Sequence, residues 1–124
     1  MGINGLKLGV RFFRTVTGAE PVLVWLREQS VEIRKAVGTD IKTVQIGWPL
    51  GMPVVRKMER GLWEVRSHFS AGIARVLFTV VDLDMVLLHG FIKKSEATPT
   101  VDLTLARRRL SILRGEFDEQ LNRH

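Results

Sequence analysis

Cysteine is absent from this chain, which excludes disulfide staples and every metal site built on thiolates. A reducing, cytoplasmic setting fits that absence. Nor does any apolar stretch reach the roughly eighteen uninterrupted residues of a membrane span. The N-terminal "MGINGLKLGVRFF" has no long apolar run and no small-residue cleavage pattern, so no secretory leader is expected. The three histidines, His68, His89 and His124, lack metal-ligand spacing. No glycine-rich phosphate loop, serine-triad signature or close carboxylate pair appears either. No metal and no cofactor are therefore expected, and any chemistry must run on cations and imidazole.

Positive charge is what the chain does have. Nineteen Lys and Arg against thirteen Asp and Glu give a formal charge of +6, which favours a polyanionic partner, either nucleic acid or an acidic protein. At 124 residues and 45% hydrophobic content, the chain fits one domain with a core that needs no staples. No repeat, linker or low-complexity segment divides residues 1–124.

The hydrophobic pattern predicts a strand over 8–14, then a helix opened by Pro21, whose missing N–H costs nothing in a first turn. That helix, "PVLVWLREQ", buries Val22, Trp25 and Leu26. Ser30 is the expected N-cap of a second helix, along which Ile33, Val37, Ile41 and Val44 recur at helical spacing. "GWPLGMP" stops it. From Val54 the period changes to two. "VVRKMER", "LWEVRSHF", "IARVLFTVV" and "MVLLHGFIKK" are separated by turns short enough for hairpins, an antiparallel meander. A last helix, capped by Thr100 or Asp102, carries a Leu103, Ala106, Leu110, Leu113 and Phe117 stripe, with Arg107, Arg108, Arg109 and Arg114 on its other sides. The expected fold is α+β.

Alternation places Trp63, Val65 and Phe69 on one sheet face and Glu64, Arg66 and His68 on the other. Arg75 falls with Leu77 and Thr79, and His89 with Leu87, Phe91 and Lys93. If the helices cover the Trp63 face, the opposite one is a concave surface collecting Arg66, His68, Arg75, His89 and Lys93, with Arg56, Lys57 and Arg60 nearby. Each has a plainer reading. Arg66 and His68 also suit exposed strand positions, and the lysine pair Lys93–Lys94 suits a solvated strand end. Arg75, inside "IARVLFTVV", needs water or a partner, and an ion pair with Glu64 or Glu59 would serve. His89 is either a satisfied buried histidine or an acid/base group, since imidazole has an unperturbed pKa of about 6.5. The three tryptophans read as core.

The run from "GWPLGMPVVRKMERGLWEVR" through "ARVLF", "LLHGFIKK" and "ATP" before a basic helix closely resembles the phage-derived, HigB-like branch of the RelE toxin superfamily. "FFRTVTGAEPVLVWL" matches its first helix, so the resemblance covers nearly the whole chain. It implies a RelE-like single domain: an antiparallel sheet, meander plus N-terminal strand, flanked by two N-terminal helices and a C-terminal one. It implies the toxin of a type II toxin–antitoxin module, a ribosome-dependent, metal-independent mRNA endoribonuclease. The expected partners are mRNA on the ribosome and a cognate antitoxin of helix-turn-helix type, with DNA reached only through that antitoxin and no membrane. The strand "LWEVR" points to Arg66, the following strand to Arg75, and the end of the last strand to His89, Lys93 and Lys94. Arg75, Arg66, His89 and Lys93 are the expected catalytic set; Arg56, Lys57, Arg60, His68 and Lys94 are the expected RNA contacts. Two departures stand out: the chain has no tyrosine, where several such toxins use one near the C-terminus, and Glu64 replaces a lysine of the strand pair. The alternative is a non-catalytic phage-derived protein that binds RNA or an acidic partner through the same face.

Overall fold

A computed structural model describes the backbone of residues 5–93 and 98–122, with side chains described as far as Gly115. Lys94, Phe117 and His124 fall outside those described parts. Eight elements follow in chain order: β1 (Gly9–Phe12), α1 (Pro21–Arg27), α2 (Val31–Gly47), β2 (Val55–Glu59), β3 (Leu62–Phe69), β4 (Gly72–Val81), β5 (Asp84–Lys93) and α3 (Thr100–Asn122). The architecture is the expected α+β domain. Its sheet runs β1-β5-β4-β3-β2. β2 to β5 form the antiparallel meander, whereas β1 lies parallel to β5, so the sheet is mixed. A parallel neighbour requires a crossover, and α1 and α2 are part of it.

Local signals set the helices. Pro21 occupies the first turn of α1, and Ser30 caps α2 by accepting a hydrogen bond from the Ile33 N–H. The hairpin turn after β3 is fastened to the start of α2: Ser70 donates to the Glu32 carboxylate from its backbone N–H and its hydroxyl, both at 2.9 Å. Among the described residues no helix is long and apolar enough to cross a membrane.

Both faces of the sheet are covered, which revises the expected open surface. α1 and α2 pack Val22, Ile33, Val37, Ile41 and Val44 onto Val65, Val76, Phe78 and Leu87. Trp48, Trp63 and Phe78 meet there with ring centroids 5.0–6.0 Å apart, a core role as expected. On the other face Ala106 and Leu110 of α3 pack onto Leu62, Leu77, Leu88 and Phe91. β5 serves both layers through a bulge: Leu77 pairs with His89 but Phe78 pairs with Leu87, leaving Leu88 as the extra residue. Leu87 therefore joins the α1/α2 core and Leu88 the α3 core. Simple alternation had grouped His89 with Leu87; the bulge separates them.

Two glycines test this packing in opposite directions. Gly90 lies under the Trp25 ring, which a Cβ would overlap, while a Cβ at Gly38 on α2 meets nothing within 4 Å. Gly90→Ala should lower unfolding stability by about 1–3 kcal/mol through overpacking. Gly38→Ala should raise it by up to about 1 kcal/mol through helix propensity. Urea midpoints of the two variants, moving to opposite sides of wild type, are the check.

Candidate functional site

Register fixes which polar groups share the α3 face. One row across the sheet reads Arg56, Glu64, Leu77 and His89; the next reads Arg66, Arg75 and Phe91; the third reads His68, Ile73 and Lys93. Successive rows are about 7 Å apart, two residues along a strand. The sheet thus gathers Arg66, His68, Arg75, His89, Lys93 and Arg56 on one face, as alternation suggested. It does not gather all the expected contacts. Lys57 pairs with Trp63 and so belongs to the opposite face. Arg60 sits in the β2–β3 turn, beyond Leu62 and about 20 Å along β3 from His68.

α3 divides this face into buried and accessible parts. Arg75 and Glu64 have no exposed side-chain surface, and the guanidinium meets the carboxylate at 3.3 Å (Nη1–Oε1). The Thr98 hydroxyl, just before α3, donates to the other Glu64 oxygen at 2.6 Å and lies 3.5 Å from Arg75 Nη1. Glu64 was one of two acidic partners the sequence offered Arg75; the second, Glu59, instead binds Arg107 at 2.7 Å. Arg66 and Lys93 are half-buried, and His68 and Arg56 are exposed. The accessible cations thus stand around a buried charge pair.

His89 is the other group tied to α3. Its Nε2 lies 2.6 Å from Asp102 Oδ1, its ring stacks on Phe91 at 5.6 Å, and its side chain is 15% exposed. Asp102 therefore fastens His89, where it had been expected as a possible cap. A carboxylate holding Nε2–H fixes the tautomer and leaves Nδ1 to exchange a proton. Sequence reasoning missed this partner because a first-turn aspartate reads equally well as a cap or as a dipole complement.

Arg109 was also misplaced. It turns toward the sheet, donating from Nη1 to the Leu88 carbonyl at 2.7 Å, with its guanidinium 5.9 Å from the Phe13 ring centre. Burial pulls its pKa below the ordinary arginine value. Helical spacing carried the signal, since Arg109 follows Ala106 by three positions and borders Leu110 on the same face. The bulge explains the contact, because it is the carbonyl of the extra residue, Leu88, that accepts the hydrogen bond from Arg109.

No group of three or more His, Asp or Glu side chains among the described residues is placed to hold a metal ion. No curated protein sequence matches this chain significantly. One family does: the model for Phage derived protein Gp49-like (DUF891) matches residues 24–111, from α1 through the entire meander into α3, and so takes in every residue of the three charged rows. The chain belongs to this phage-derived, toxin-like family.

Proposed function

We propose that the protein is the toxin of a toxin–antitoxin pair, a HigB-like endoribonuclease that cleaves mRNA on the ribosome. The observation that carries this reading is the His89–Asp102 pair set on the same sheet face as Arg66, His68 and Lys93. RNA supplies its own nucleophile. The 2′-oxygen attacks the adjacent phosphorus, the new P–O2′ bond forms as the P–O5′ bond breaks, and the protein has three tasks. It must take the proton from the 2′-hydroxyl, balance the extra negative charge, and protonate the departing 5′-oxygen.

His89 is the acid/base group in this scheme, and Asp102 acts through it as a positioning residue. Arg66 and Lys93, which keep exposed surface, hold the phosphate; His68 is the second imidazole within the rows. Arg75 occupies a different position. To touch phosphate it must exchange Glu64 for the substrate; as it stands, it anchors the carboxylate and Thr98 behind the accessible cations. The burial of Arg75 favours a second reading, in which the face binds RNA or an acidic partner without cleaving. The antitoxin partner belongs to the first reading only.

The Arg75–Glu64 pair changes what a mutation should do. Arg75→Ala leaves a buried carboxylate without its guanidinium and should cost about 3–5 kcal/mol of stability. Arg75→Met combined with Glu64→Gln should recover part of that loss. Urea titration of the three proteins decides it, and an Arg75→Ala variant as stable as wild type would show that the pair holds little.

Expression should arrest growth, and coexpression of a small helix-turn-helix protein encoded beside the gene should relieve it. Primer extension on translated mRNA should map new 5′ ends. His89→Ala should slow cleavage about a hundredfold at saturating ribosome, the lower range for general acid–base catalysis, with binding nearly unchanged. Asp102→Asn should move in the same direction. Lys93→Ala should instead weaken association and flatten its salt dependence. Growth arrest without new 5′ ends would favour the binding protein over the nuclease.

A further inference from the structure

The flank of α3 beside the β2–β3 turn carries a second concentration of cations, away from His89. A hollow of about 480 Å³ between the β2–β3 turn and α3 is lined by Arg60, Arg107, Ser111 and Arg114, with Glu59 as its acidic member. Arg107, Ser111 and Arg114 follow at i, i+4 and i+7, so one helix face presents all three. Arg60 faces them from the turn. Arg114 rests its guanidinium over Gly61, where any Cβ would collide with it. Gly61 also has φ +78°, so glycine is required there by the turn itself. Arg107 spends its Nε on Glu59, which leaves its two Nη groups as donors. Arg60 and Arg114 form no ion pair among the described residues.

Guanidiniums of one sign brought together in a hollow repel one another, and an anion seated between them removes that repulsion. Planar forks from two elements suit phosphate oxygens in particular. Arg56 lies between this hollow and the His68 end of the sheet face, on the same side of β2 as Glu64. The basic groups therefore trace a path of about 20 Å beside α3.

We propose that this hollow is a second RNA phosphate subsite, so that the bound strand extends from the His68 and Lys93 end of the sheet face along β2–β3 to Arg60 and Arg114. The subsite rests on the ribonuclease reading above, and names a part of the substrate well removed from the reacting bond.

The test uses the full chain and single-stranded 2′-O-methyl RNA, which lacks the nucleophile and stays intact. Fluorescence anisotropy is measured over a salt series with oligonucleotides of about four and about twelve nucleotides, within the range of single-strand site sizes. Arg60→Gln combined with Arg114→Gln should weaken binding of the longer strand only. Its log–log salt slope should fall by about 1.4, two contacts at roughly 0.7 each. Lys93→Ala should weaken both lengths. A double variant that binds the longer strand as wild type does, with the same slope, would overturn the subsite and leave the nuclease reading standing. Equal loss for both lengths would also overturn it as a separate site. Wild-type protein that binds neither strand at low salt would overturn the subsite, while a nuclease that meets its mRNA only on the ribosome would still stand.

Discussion

The interior of the sheet depends on one ionic contact. Glu64 and Arg75 are both fully buried, on neighbouring strands and one row apart, in a layer otherwise built from Leu62, Leu77, Leu88 and Phe91. Charges removed from water are tolerated only when each compensates the other and the remaining oxygens find donors. Thr98 supplies that donor, and it does so from the segment leading into α3. The requirement to satisfy one carboxylate therefore helps decide where the last helix begins. Asp102 then repeats the device one turn later by engaging His89.

These two polar fastenings give α3 a role that its apolar stripe alone would not. Ala106 and Leu110 press the helix onto the sheet without specifying its exact placement, because apolar contact is not directional. Thr98, Asp102 and Arg109 specify it, each through a hydrogen bond to a defined sheet atom. His89, the group assigned to acid/base chemistry, is thus held by one of the bonds that orient the helix. Structural and functional readings of His89 are compatible, since a hydrogen-bonded carboxylate orients an imidazole in either case.

Most of the architecture was legible in the sequence because periodicity reports it directly. The change from a 3.6-residue to a two-residue repeat at Val54 marked the meander, and Ser30 and Pro21 marked helix starts that the structure reproduces. The charged face was legible in part. Alternation put Arg66, His68 and Arg75 together, but it could not see the bulge at Leu88, which depends on the pairing of two strands and leaves no mark on either alone. It also assumed that one face stays open. The α3 stripe showed that this helix buries a side, and only tertiary packing showed that the side meets the basic face. Lys57 was grouped with Arg56 by adjacency, yet neighbours on a strand point to opposite faces.

The parallel pairing of β1 carries a consequence for biosynthesis. Gly9 pairs with Asp84, so the first strand made must wait for one that follows it by 75 residues. At about 5–20 residues per second, the partner arrives several seconds later. The hairpins of the meander close locally in the meantime, each across a short turn and at small entropic cost. β1 is therefore the latecomer to a sheet whose other four strands pair through local hairpins. The nascent chain must carry "GVRF" uncommitted until β5 has been made.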